Sequence, residues 1–294
     1  HLADFDLLHL AGFFGLERVE RGQLVPVAGV ERVADALLKV AMPPNQLLIG
    51  QHALIVQAST LPTGFNQRPG VTLLLAQEQA LQLEITGVGK VSANALLLPP
   101  DVQRRFTNPQ RHISITVEPG HPSYCSLLRW ARSQTPVAAS LQTKPADFAL
   151  LAALTSQSSF DDWLVHLLAR HAKPVHETGT RLDFLLQLVA RADEETSAEA
   201  VWQSFRSRYP SSQAYCSHWL QEELGLSLRK LLLWRKLRRA LESLIAPQAA
   251  TEVAHAAGFA DSAHLSRICL RTFGLRPSQA NDRKILQVSR LTVS

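Results

Sequence analysis

The strongest constraint on the fold is a stretch that occurs twice. "SQAYCSHWLQEELGLSL" runs from Ser212 to Leu228, and "DSAHLSRICLRTFGLRP" runs from Asp261 to Pro277, a period of 49 residues. Ser212 aligns with Asp261, and both side chains accept hydrogen bonds from the free amides at a helix start. Cys216, Trp219 and Leu220 align with Leu265, Ile268 and Cys269, an i, i+3, i+4 apolar stripe. Ser217 aligns with Ser266, and Leu226 with Leu275. Gly225 and Gly274 fall where a helix C-terminus needs a residue that tolerates positive φ. Each copy therefore predicts a short capped helix, over about 212–223 and 261–272, that buries one face and exposes the other.

The segment before the second copy, Ala250 to Ala257, predicts another short helix that ends at Gly258. A helix, a glycine turn and a second amphipathic helix form a helix-turn-helix. Such a unit sets its second helix in the DNA major groove, which at about 12 Å is wide enough for one helix. The groups available for phosphates and base edges are Ser262, His264, Ser266, Arg267 and Arg271 in the second copy. In the first they are Ser212, Gln213, Tyr215, Ser217 and His218. Arginine can grip guanine O6 and N7 bidentately. Between the copies, "LRKLLLWRKLRRALESLI" from Leu228 to Ile245 has helical periodicity and a basic polar face. As a helix it spans about 27 Å, a length suited to two reading helices near the ~34 Å spacing of successive major grooves.

Charge agrees with this division. Residues 1–179 hold 14 Lys+Arg and 14 Asp+Glu, whereas residues 180–294 hold 16 and 11. The whole excess of +5 is C-terminal, which suggests an anionic partner there. With 46% apolar residues the chain can bury a real core, and its length favours two domains. It has no run of 18 apolar residues, so neither a transmembrane helix nor a membrane partner is expected. Asp4 and Asp6 stand where a secretory leader would be basic. Cys125, Cys216 and Cys269 are too scattered for a disulfide framework and suit reduced thiols in the cytoplasm.

The segment from Leu47 to Val117 reads as β. Short apolar or alternating runs occur at 47–49, 53–56, 71–75, 81–85, 95–98 and 113–117. Pro62-Thr63-Gly64, Pro69-Gly70, Gly87-Val88-Gly89, Pro99-Pro100-Asp101 and Asn108-Pro109 punctuate them. That spacing predicts a sandwich or small barrel. Glu31–Val40 has helical character. From Pro122 onward, 123–132, 145–154 and 160–172 have helical spacing, the last with Ser159 as cap and Asp161-Asp162 in its first turn. Lys173 to Thr180 reads as a connector, and Asp183–Arg191 as the first helix of the C-terminal part.

"EVAHAAGFADSAHLSRICLRTFGLRPSQ" from Glu252 to Gln279, with "GLSLRKLLLWRKLRRALESL" from Gly225 to Leu244, resembles the DNA-binding domain of the AraC/XylS family of transcriptional regulators. The resemblance covers about 181–280, roughly a third of the chain. It implies an α+β protein: an N-terminal cupin-like β-barrel with flanking helices, and a C-terminal all-α domain with two helix-turn-helix units joined by a long helix. It places effector sensing, dimerisation or both in residues 1–178 and binding of double-stranded DNA in 179–294. It further implies RNA polymerase as a partner, a small-molecule effector, a homodimer, and activation more often than repression. The sequence departs from the family at Cys269, where an aromatic is usual, and at Leu270, often basic. In the first unit, Tyr209-Pro210 replaces the counterpart of Gly258-Phe259, Phe205 that of Ala254, and His218 that of Arg267. The second unit is therefore expected to read bases, and the first to make weaker or mainly backbone contacts.

Other chemistry is thin. Arg68, Arg104 and Arg105, with Arg111, lie near predicted loops of the β region and could bind an anionic effector. His52, His112 and His121 are isolated, and His121 with Cys125 makes only a pair, so no metal is assigned. Nucleophile-elbow, phosphate-loop and dinucleotide motifs are absent, so neither an enzyme nor a cofactor is expected. Competing readings are a regulator controlled only by protein–protein contact, a cupin-type metalloenzyme with a helical tail, and a thiol sensor acting through Cys125.

Overall fold

The computed structural model describes residues 17–20, 23–26, 45–58, 64–77, 79–108, 110–133, 139–140, 156–171, 179–245, 249–282 and 284–292. The helices expected over 31–40 and 145–154 lie outside these residues, as does most of the connector.

Strands β1 (Glu17–Glu20) and β2 (Gln23–Pro26) form an antiparallel hairpin. The main sheet has seven strands: β3 (Asn45–Ile49), β4 (Ala53–Ala58), β5 (Val71–Ala76), β8 (Ala95–Leu98), β10 (His112–Val117), β11 (Ala139–Ser140) and β12 (Gln287–Arg290). Their order is β11-β8-β5-β10-β4-β3-β12. A smaller sheet holds β6 (Leu81–Ile85) between β7 (Gly89–Ala93) and β9 (Arg104–Phe106). Gly87 and Gly89, at φ 82° and 97°, make the β6–β7 turn in a region closed to most side chains.

The main sheet is covered on both faces, which is why all six residues of β10 are buried. Leu73, Leu75, Leu97, Ile113 and Ile115 pack on helices α1 (Tyr124–Ser133) and α2 (Gln157–His171). The opposite face divides in two. Leu74, Leu96 and Leu98 meet Leu81, Leu83 and Ile85 of the small sheet. Leu47, Ile49, Leu54 and Ala58 meet the C-terminal helices. The expected closed barrel is not formed among the described residues: two sheets pack face to face, and helices fill the place of further strands.

The helices that follow are α3 (Thr180–Arg191), α4 (Ala198–Arg208), α5 (Gln213–Leu224), α6 (Leu228–Ser243), α7 (Ala250–Ala256), α8 (Ser262–Phe273) and α9 (Pro277–Asn281). The α+β class stands, but the C-terminal part is not all-α, because β12 follows α9. Helix α2 starts before Ser159, which lies in its first turn and donates to the Ser156 carbonyl at 2.8 Å. Ser156 Oγ accepts from the Ser159 amide at 3.3 Å, so the cap expected at Ser159 sits upstream.

Candidate nucleic-acid interface and effector pocket

The repeat folds as two matched units. Ser212 Oγ accepts from the Tyr215 amide at 3.2 Å to start α5. Asp261 Oδ1 accepts from the His264 amide at 2.6 Å to start α8. Gly225 and Gly274 end the two helices at φ 71° and 73°, and their amides donate to the carbonyls of Gln221 and Leu270. Cys216, Leu220 and Leu224 are the buried stripe of α5; Leu265, Ile268 and Cys269 are that of α8. Helix α7 and the turn at Gly258 (φ 78°) precede α8, whereas α4 and Tyr209-Pro210 precede α5. Helix α6 joins the units, buried at Leu231, Trp234, Leu237 and Leu241.

The free faces differ in charge. On α8, Arg267, Leu270 and Arg271 are exposed, and Ser262, His264 and Ser266 half-buried. The His264 ring stands edge-on to Phe259, 5.4 Å between centroids, which ties it to the turn. On α5, Ser212, Gln213, Tyr215, Ser217 and His218 are exposed, but the helix carries no Lys or Arg. His218 Nε2 lies 3.2 Å from Glu222 Oε1, one turn on. Arg181 of α3 packs against the first unit with its Nε and Nη2 buried: the guanidinium lies 4.3 Å from the Trp219 ring centroid and 5.2 Å from that of Tyr215. Leu270, noted in the sequence as a departure from the family but not counted among the contact residues, is exposed on α8. At 43% exposure it presents an apolar group suited to a thymine methyl.

The structure brings Arg68 and Arg104 together and leaves Arg105 apart. Arg105 is held on the surface by Glu84 at 2.5 Å and lies 4.6 Å over the Phe65 ring centroid. Arg68 and Arg104 instead line a cleft between the sheets and the C-terminal helices, whose empty space is about 970 Å³ with the open solvent at its mouth included. Its apolar walls include Leu47 and Val56 from the sheet, Leu241 from α6 and Leu244 at its C-cap, and Leu265 and Phe273 from α8. No Asp or Glu lines it among the described residues. Arg68 donates through Nη1 to Ser114 Oγ at 3.0 Å and Thr116 Oγ1 at 2.8 Å, while its buried Nε has no protein partner. Arg104 donates to the Val102 carbonyl at 3.2 Å. Burial lowers Arg68 to about 10. Burial, and then the charge of Arg68, hold Arg104 well below its ordinary value. Burial also lowers His112, on the same wall, to about 4. Arg68 remains cationic at neutral pH. A buried cation without a carboxylate is costly, and an entering anion offsets that cost. The signal missing from the sequence was burial: both arginines flank turn residues and read as surface charge.

Comparison with known proteins bears on the helical part first. The family described as "Helix-turn-helix domain" matches residues 208–283. Residues 208–283 are an AraC-type helix-turn-helix domain. The match to this AraC-type domain begins at the end of α4 and closes just after α9. No curated protein sequence matches the chain. Among solved structures, apo ToxT from Vibrio cholerae, a variant form, is similar with a TM-score of 0.55 at 10% identity, covering 80% of this chain and 98% of that one. ToxT bound to an unsaturated fatty acid is similar with a TM-score of 0.51 at 11% identity, covering 78% and 93%. At such identity the likeness is of fold: a β-rich N-terminal part joined to the AraC-type domain.

Proposed function

We propose that this chain is an effector-responsive, AraC-type transcriptional regulator, with sensing in residues 1–178 and DNA binding in 179–294. The observation that carries the reading is the pair of capped helices in an AraC-type domain whose second member exposes Arg267 and Arg271. In this reading α5 and α8 enter adjacent major grooves of double-stranded DNA. Arg267, Arg271, Ser262, His264 and Ser266 supply most base and phosphate contacts. Ser212, Gln213, Tyr215, Ser217 and His218 add weaker ones, because α5 has no cation of its own to meet phosphate. The protein acts in the cytoplasm, without catalysis, and alters transcription through RNA polymerase as a homodimer.

The effector in this reading is a carboxylic acid with an apolar body. Its head would meet Arg68 and Arg104, and its body the walls at Leu47, Val56, Leu244 and Phe273. Support comes from the chemistry of the cleft, two buried arginines in apolar surroundings with no carboxylate among the described lining residues. ToxT, which shares the fold, has been crystallised with an unsaturated fatty acid and with (E)-4-(8-methylnaphthalen-1-yl)but-3-enoic acid, both acids with an apolar body. A ligand here touches both domains, so it binds their possible arrangements unequally and shifts the population among them.

Footprinting on randomised DNA fragments near physiological salt, with and without a monounsaturated long-chain fatty acid, tests both halves. The expected result is an asymmetric protected site across two adjacent major grooves, with an affinity that the fatty acid changes. Absence of any sequence-specific site would defeat the regulator reading. A site indifferent to the acid would defeat the effector reading alone.

A further inference from the structure

The helix-turn-helix match ends at residue 283, but the chain returns to the sensor sheet beyond it. Strand β12 runs parallel to β3, with Gln287 opposite Gln46 and Arg290 opposite Ile49. The Leu291 amide donates to the Ile49 carbonyl at 3.0 Å, and the Gln157 amide at the start of α2 donates to the Thr292 carbonyl at 2.9 Å. Leu286 and Val288 are buried in the core shared with the second unit, and Leu291 in the core that the sensor part shares with the first unit. The tail of the DNA-binding domain is thus an edge strand of the other domain.

A second tie runs beside it. Arg238, on α6, donates to Glu118 Oε1 at 2.5 Å and to the Ala53 and Gln51 carbonyls at 3.3 and 3.2 Å. It also donates to the Gly50 carbonyl. One turn on, Glu242 lies 3.6 Å from Arg238 Nε and 3.3 Å from Arg290 Nη2. The row Glu118, Arg238, Glu242, Arg290 joins the sensor part, the bridging helix and the tail.

Both reading units are anchored to the same body. The Gln67 amide donates to the carbonyl of Arg271, itself a proposed DNA contact, at 3.0 Å. Tyr124 Oη donates to the Leu224 carbonyl at 2.7 Å at the end of α5. Arg132 donates to the carbonyls of Glu222 at 2.5 Å and Gln221 at 3.1 Å. Two units that must settle into successive grooves ~34 Å apart cannot adjust to a duplex while each is fixed to the sensor part.

We propose that residues 284–292 are an autoinhibitory strap: paired with β3 they hold the DNA-binding domain against the sensor domain, and separation of β12 from β3 frees the second unit for DNA. The strap rests on the DNA-binding reading. It also meets the effector site, because Leu286 at its root and Leu47 on β3 both line the cleft.

Two variants test it, read as affinity for the footprinted site by fluorescence anisotropy. The first is the chain truncated after Lys284. The second is Gln46→Cys with Gln287→Cys in a Cys125→Ser background. Paired positions on neighbouring strands lie about 4.8 Å apart, within the Cα separation of a disulfide. The truncated chain is expected to bind at least about five-fold tighter than the full chain, and the oxidised double variant at least about five-fold weaker than its own reduced form. Reduction restores the tighter binding. If truncation harms folding, the cysteine pair decides alone, since its two states differ only in one bond. Equal affinity of oxidised and reduced forms overturns the strap and leaves DNA binding intact. Failure of the thiols to couple overturns it too, because the strands are then not paired in solution. If no form selects a DNA sequence, the DNA-binding reading falls and the strap with it.

Discussion

The guanidinium of Arg68, from the β-rich N-terminal part, sits 5.6 Å over the ring centroid of Phe273, the last residue of α8. A cation that faces the proposed effector cleft therefore also lies against the element proposed to read DNA. Phe273→Leu keeps an apolar side chain but removes that ring. The variant is expected to bind the fatty acid within about three-fold of the parent and to lose most of the acid's effect on DNA affinity. Titration calorimetry with anisotropy would measure both. An unchanged effect of the acid on DNA binding would show that the signal passes elsewhere.

Arg68→Ala and Arg104→Ala should each weaken fatty-acid binding by roughly 10–100-fold, the loss expected for a charged hydrogen bond. Arg105→Ala should leave it unchanged, since Arg105 is outside the cleft and paired with Glu84. Equal losses in all three variants would mean that the acid binds elsewhere, through general surface charge.

Arg267→Ala and Arg271→Ala should each reduce specific DNA binding by about 1–3 kcal/mol if they contact bases. A residue that meets phosphate will instead lower the slope of affinity against salt by about one. Leu270→Ser should relax the preference for thymine at one position with little change in that slope. Binding selections at two salt concentrations separate these outcomes.

His112 makes stability depend on pH. Burial lowers its folded-state value to about 4 from an ordinary 6.5. Between these values the unfolded chain binds the extra proton, so acid favours unfolding. The contribution is fully present above 6.5 and is lost as pH falls through 4, on the order of 3 kcal/mol in total. Urea midpoints of the parent should fall over that window, and those of His112→Asn should fall less. Parallel pH profiles would place the titration on another group.

Asp261→Ala removes the acceptor that satisfies the His264 amide at the start of α8. A lost cap of this kind costs about 1 kcal/mol. Fraying at that end also displaces Ser262 and His264, so specific DNA affinity should drop together with thermal stability. Asp261→Asn, which keeps an accepting oxygen, should restore both.

Local periodicity was enough for the helical half. The stripes Cys216–Leu220 and Leu265–Cys269, the caps at Ser212 and Asp261 and the stops at Gly225 and Gly274 are all neighbours in sequence. They determined two matched helices and the bridge between them within one or two residues. Six strands were legible for the same reason, as short apolar runs between turn formers. Strands β7, β9 and β12 were not, because "GKVSA", "RRF" and "QVSR" carry little apolar signal and gain their structure from partners. Tertiary structure alone decided that Arg68 and Arg104 are buried together, that Arg105 is not, and that the tail crosses back to β3. Each of these depends on which distant surface covers a residue, and charge or periodicity within a dozen neighbours carries no record of that.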